Sequence, residues 1–137
     1  YRIKKENEVL IDDYAHHPAE INAVHSAVRE MYPNKRVLAV FQPHLFSRTR
    51  DFMEEFAASL AQFDELLLLD IYPAREEPIE GITSEKLLEL IPLKRKEVIS
   101  KAQLEEKLQA SKATVKVMMG AGDIGEEILK LTKTLAV

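Results

Sequence analysis

Four short stretches of this 137-residue chain hold most of the side chains able to bind anions, grip sugar hydroxyls or move protons. They are Asp12-Asp13-Tyr14-Ala15-His16-His17-Pro18, Gln42-Pro43-His44-Leu45-Phe46-Ser47-Arg48-Thr49-Arg50, Asp70-Ile71-Tyr72-Pro73-Ala74-Arg75-Glu76-Glu77 and Gly120-Ala121-Gly122-Asp123-Ile124-Gly125. A carboxylate such as Asp13 can take both hydroxyls of a ribose, as acidic residues do in other nucleotide-binding α/β folds, or it can cap the following helix and accept backbone N–H groups. Arg48 and Arg50 fall where a helix is expected to begin. A guanidinium and unpaired backbone N–H groups would there address one spot, suited to a carboxylate or phosphate. Arg50 can equally form a surface ion pair with Asp51 or Glu54.

His16, His17 and His44 invite a metal reading, but adjacent histidines seldom aim at one ion and no H-E-x-x-H spacing is present. No metal site is expected. His25, on the flank of a helix, reads as an exposed or satisfied histidine. The last stretch spells G-x-G-x-x-G, formally a dinucleotide fingerprint. Only Glu126 to Val137 follow it, leaving no second strand to carry the ribose-binding acid about 20 residues on, and Asp123 would set a negative charge where a pyrophosphate should lie. The glycines are expected instead to allow a tight turn and a close backbone approach to a smaller group.

These stretches need a frame that brings them together. Apolar runs rich in branched residues alternate with segments of helical period, the order that gives an α/β domain with a mostly parallel sheet. Strands are predicted at Val9 to Ile11, Val37 to Phe41, Glu65 to Ile71, Glu97 to Ile99 and Val115 to Met119, with a short one at Arg2 to Lys4. Ile21, Val24, Val28 and Met31 share one face of a helix whose first turn holds Pro18 and which stops at Pro33-Asn34. Phe52, Phe56, Leu60 and Phe63 form the stripe of a second helix, with Ser47 or Thr49 as its N-cap and Asp51 in its first turn. Further helices are expected over Ser84 to Ile91, Gln103 to Ala110 and Asp123 to Leu135. In such a sheet ligands bind beyond the carboxyl ends of the strands, where all four stretches fall.

Composition narrows the classes. Apolar content of 46% and charged content of 31% are those of a globular protein with a core. The absence of cysteine removes disulfides, thiolate metal sites and thiol nucleophiles. A net charge of -4 with interspersed signs argues against nucleic acid as a partner, and Lys94-Arg95-Lys96 reads as a solvated connection. No run approaches the ~18 apolar residues of a membrane span. The opening Tyr1-Arg2-Ile3-Lys4-Lys5-Glu6 lacks the apolar core of a signal peptide, so a cytoplasmic location is expected.

In order and spacing the four stretches resemble the C-terminal domain of the Mur ligases. The resemblance rests on Asp12-Asp13-Tyr14-Ala15-His16-His17-Pro18-Ala19-Glu20, Phe41-Gln42-Pro43-His44 through Arg48-Thr49-Arg50-Asp51, Asp70 to Ala74 and Gly120 to Ile124, and it covers nearly the whole chain. Within the family it points to the members that join L-alanine to UDP-N-acetylmuramate. A related tripeptide-recycling ligase shares a similar DD-HHP segment, but the FQPH-to-RTRD stretch is not expected in it. The resemblance implies a single Rossmann-like, three-layer domain over residues 1–137, with a mostly parallel sheet of about six strands. It also implies a UDP-binding N-terminal domain and a central ATPase domain upstream; a start at Tyr1 without methionine fits a chain cut from a longer one.

ATP and Mg2+ would be held mainly by the central domain, because this chain has no G-x-x-x-x-G-K-[ST] phosphate loop. Alone it would be inactive. The implied role is to close over the other two domains and exclude water from an acyl phosphate. Carried over residue by residue, Asp13 would hold the ATP ribose with Tyr14 near the adenine. His16, His44, Gly120 and Ala121 would face the substrate, and Arg48 would bind the alanine carboxylate. Leu45 stands where an arginine is common in the family, and Arg75 where a glycine is common. The first departure bears on any second-arginine clamp; the second sets a cation near the site or only on a loop. The alternatives are a free-standing Rossmann-like nucleotide-binding module and the related tripeptide-recycling Mur ligase.

Overall fold

The computed structural model describes residues 2–5, 8–120 and 124. Six strands form one sheet in the order β1-β2-β6-β3-β4-β5: β1 (Arg2–Lys5), β2 (Glu8–Asp13), β3 (Val37–Phe41), β4 (Glu65–Leu68), β5 (Lys96–Val98) and β6 (Val115–Met119). Only β1 is antiparallel; it pairs with β2 at the sheet's edge, and every other pairing is parallel. The α/β class and the mostly parallel, six-stranded sheet are as expected.

The central strands are buried on both faces, which is why β3 reads as an unbroken apolar run and β6 as one interrupted only by Lys116, rather than as alternating strands. On one face Val37, Ala39, Phe41, Leu66, Leu68, Val115, Val117 and Met119 pack against α1 (Pro18–Met31), α3 (Met53–Leu60) and α4 (Ser84–Glu89). The other face, through Leu38, Val40, Leu67 and Met118, packs against α5 (Leu104–Ala110) and Ile124. Lys116 breaks the apolar pattern of β6 and is 5% exposed. Its ammonium donates to the Leu108 carbonyl at 2.6 Å, satisfying an orphan oxygen near the carboxyl end of α5. Lys96 does the same for α4, donating to the carbonyls of Leu88 and Ile91.

The expected second helix is two helices. α2 (Phe46–Asp51) and α3 meet at Phe52, whose φ of -121° breaks the helical run, although its N–H still reaches the Arg48 carbonyl. Neither Ser47 nor Thr49 is a cap: both lie inside α2, and the N-cap is Leu45 at φ 73° with no side-chain bond. Asp51 consequently ends α2 instead of opening a helix. Phe63 lies beyond α3 yet is 2% exposed, so the apolar stripe reports burial correctly where it overstates the helix. β4 and its neighbour β5 end together, at Leu68 and Val98; Leu69 still donates to the Phe41 carbonyl and accepts from the Ser84 hydroxyl before the chain turns away. β2 runs on to Asp13, so both aspartates belong to the strand. The helix expected over Asp123 to Leu135 lies outside the described residues except for Ile124, which is helical.

Candidate functional site on the carboxyl rim of the sheet

The four stretches converge. Asp13 is paired in register with Met119, and Met119 with Phe41, so β2, β6 and β3 end side by side. Gly120 donates its N–H to the Asp13 carbonyl, and Gln42 donates its own to the Met119 carbonyl. Above these ends His16 meets His44 edge-on at 6.1 Å, and His44 stacks on Tyr72 at 5.6 Å. Arg48, one turn into α2, reaches the Nδ1 of His44 at 3.3 Å. Tyr14 stands 70% exposed beside His16, ring to ring at 5.7 Å.

Local chemistry explains each placement. Asp13 accepts the Ala15 N–H at 2.9 Å, which turns the chain out of β2 while leaving the carboxylate exposed. It does not cap α1; His17 does, accepting the Ala19 N–H through Nδ1. His17 packs its ring on Phe52 at 4.9 Å, so of the two adjacent histidines only His16 joins the cluster. The Nδ1 of His16 lies 3.0 Å from the Tyr14 carbonyl and 3.5 Å from Glu20. His25 accepts from Arg29, which also bonds Asp64 and the carbonyls of Lys35 and Gln62; it is a satisfied structural histidine.

His44 carries the clearest electrostatic signature. Burial pushes its pKa down, the Arg48 and His16 charges add to that, and Glu76 opposes them. A guanidinium can only donate, so the Nδ1 facing Arg48 is an acceptor and the neutral ring carries its proton on Nε2. The ring is therefore a hydrogen-bond donor toward the rim near neutral pH.

The start of α2 differs from the expectation. Its unpaired N–H groups do not await an external anion, because both carboxylate oxygens of Glu76 are turned onto Ser47, one on its N–H at 3.1 Å and one on its hydroxyl. Arg50 forms an exposed pair with Asp51 at 2.9 Å and stands apart from the cluster. Tyr72, Ser47 and Glu76 belong to the rim, although sequence reasoning gave Tyr72 and Glu76 no individual role and Ser47 only that of a helix cap. A signal existed: a helix opening on Leu45 has no capping side chain of its own and needs an acceptor from elsewhere. Arg75, the other departure from the family pattern, is exposed.

Gly120 is approached from within. A Cβ there would meet the Gln42 carbonyl at 3.2 Å and the Cγ2 of Ile124 at 2.9 Å, at a φ of 152°. The close approach expected for a ligand is made by the protein itself, and Gln42 Oε1 also accepts the Ile124 N–H at 3.0 Å. Gly120→Ala is expected to destabilise the fold by about 1–3 kcal/mol, read as a lower urea midpoint at unchanged slope. Ala121 lies outside the described residues. Among the described residues no three His, Asp or Glu side chains group as metal ligands, and no helix is long and apolar enough to cross a membrane.

A cleft of about 310 Å³ opens at the opposite edge of the sheet, between Glu65, Lys94, Arg95 and Lys107. Glu65 there accepts from Ser111 at 3.0 Å and lies 3.8 Å from Arg36. It shares no residue with the four stretches.

A parallel sheet with exposed polar and aromatic residues at its carboxyl rim defines an α/β domain of the ligand-binding kind. Residues 2–124 match the family described as Mur ligase, glutamate ligase domain, and the chain belongs to that family. It is 67% identical over 135 residues to the UDP-N-acetylmuramate–L-alanine ligase of Christiangramia forsetii, covering 98% of this chain and 30% of that protein. The corresponding ligase of Porphyromonas gingivalis is 47% identical over 131 residues, covering 95% of this chain and 29% of that protein. Among solved structures, the UDP-N-acetylmuramate-alanine ligase of Thermotoga maritima superposes with a TM-score of 0.75 at 23% identity, over 99% of this chain and 28% of that one. A domain from a putative UDP-N-acetylmuramate:L-alanyl-γ-D-glutamyl-diaminopimelate ligase of Haemophilus ducreyi gives a TM-score of 0.64 at 25% identity, over 94% of this chain and 92% of that one. The chain thus spans about 30% of the length of the ligases it matches.

Proposed function

We propose that this chain is the C-terminal, closing domain of a cytoplasmic ATP-dependent ligase that joins L-alanine to UDP-N-acetylmuramate. The observation that carries the reading is the gathering of Asp13, His16, His44, Arg48 and Gly120 along one rim, in a chain 67% identical to such a ligase. In the reaction ATP phosphorylates the muramoyl carboxylate. The amine of alanine then attacks the acyl phosphate carbon, and the tetrahedral intermediate collapses to amide and inorganic phosphate. Binding the acceptor amino acid in line and keeping water out are the tasks left to a closing domain.

Arg48 takes the alanine carboxylate as a charge-assisted pair, with the Nε2 proton of His44 as a neighbouring donor. His16 flanks His44 on the substrate side, and Gly120 and Ala121 are further substrate-binding positions. Asp13 takes the ATP ribose, and the exposed ring of Tyr14 offers a face to adenine. The described residues fit the nucleoside end of ATP, with a carboxylate and an open ring, and offer no acidic cluster for Mg2+. The metal and the phosphates therefore fall to the central domain, and the UDP moiety to the N-terminal one. On its own the chain catalyses nothing.

The test is phosphate release by the full-length enzyme with ATP, UDP-N-acetylmuramate and a panel of amino acids. Turnover dependent on L-alanine is expected, and its absence rejects the reading. Titration of the isolated chain with NAD should show no binding; micromolar affinity would favour a free-standing dinucleotide module.

A further inference from the structure

The loop after β4 reaches across to the loop after β3 and holds it at several points. Leu45 donates to the Tyr72 carbonyl and Tyr72 to the Pro43 carbonyl, each at 2.8 Å, a one-rung parallel bridge between His44 and Tyr72. The chain then reverses through Ala74 at φ 53° and a Glu76 N–H to Pro73 carbonyl bond. That turn brings Glu76 back over α2, where both its oxygens engage Ser47, a residue 29 positions away in sequence. The short α2 needs this. Leu45 supplies no cap, and Ser47 immediately precedes Arg48, whose guanidinium sets the acceptor nitrogen of His44.

We propose that Glu76 is a positioning residue of the amino-acid rim: its carboxylate completes the uncapped first turn of α2 and so holds Arg48 and His44 where the amino-acid carboxylate binds. This role rests on the ligase reading above. Hydrogen bonds from the hydroxyl and N–H of Ser47 hold the Glu76 carboxyl below the usual carboxylate range, so it is ionised throughout the neutral range. The groups facing His44 are Arg48 from α2, His16 from the loop after β2, and Tyr72 and Glu76 from the loop after β4. Glu76 is the one among them that favours the protonated ring. Removing its charge lowers the His44 pKa further, and the neutral ring then persists to lower pH.

In the full-length ligase Glu76→Ala should raise the KM for L-alanine about tenfold while leaving that for ATP within about twofold, the effect of a misplaced binding group remote from the nucleotide. Glu76→Gln keeps one oxygen for the Ser47 N–H and secures the test should the alanine variant fold poorly. It should show a smaller rise of roughly threefold, and both variants should move the acid limb of kcat/KM for alanine to lower pH. A purely structural residue would lower Tm and weaken both substrates together with no change in the pH profile; that result overturns the role, as does an unchanged KM for alanine. No alanine-dependent turnover by the wild-type enzyme overturns the ligase reading and this role with it. Wild-type turnover with unshifted variants overturns the role alone.

Discussion

Arg48→Ala in the full-length ligase is expected to raise the KM for L-alanine by about 100-fold, ~2.7 kcal/mol of lost binding, with the KM for ATP changed by less than about twofold. The guanidinium is half-buried on α2 and anchored by His44. A carboxylate bound there loses a preorganised charged partner when the side chain is truncated, while the proposed nucleotide end, around Asp13 and Tyr14, is untouched. The alanine carboxylate carries the same charge in ground and transition states, so the loss falls on KM rather than kcat. Arg48→Lys should recover little, since an ammonium cannot present a planar fork. Steady-state kinetics with both substrates varied provides the check; equal rises for alanine and ATP would mean the residue has been given the wrong partner.

Phe56→Ala should cost about 3–5 kcal/mol of folding stability, the range for truncating a fully buried aromatic side chain. Phe56 is 0% exposed, and its ring meets that of Phe41 at 5.4 Å. It lies on α3 over the centre of the sheet, so the void opens between two elements that cannot collapse independently. Urea denaturation of this chain gives the number directly. A loss under about 1 kcal/mol would show that α3 is not seated as described.

How much was legible in the residues depended on the range of the interaction. β3 and β6 announced themselves because a strand covered on both faces is apolar almost throughout, Lys116 being the one exception, and α1 because Ile21 and Val28 recur on one face beneath Pro18. The meeting of the four stretches on one rim followed from parallel topology alone. What stayed hidden was set by partners distant in sequence. The break at Phe52 has no proline or glycine to mark it. The Glu76–Ser47 contact joins a loop to a helix 29 positions away, so it could not be seen that the protein's own acid takes the Ser47 N–H. His17 and His16 are neighbours with opposite fates, one capping a helix and the other facing His44, and only the exit angle from β2 decides between them. At Gly120 the groups that come close within the chain are Ile124 and Gln42, partners 4 and 78 positions away, which the glycine pattern alone could not name.

The antiparallel course of β1 has a mechanical consequence for the proposed full-length ligase. Arg2 is paired with Ile11, two residues short of Asp13, so the strand enters the sheet next to its working edge and not from the far side. A polypeptide joined ahead of Arg2 would place its pivot there, and a swing about that pivot would carry Asp13 and Tyr14 along a short arc and the more distant Arg48 along a longer one.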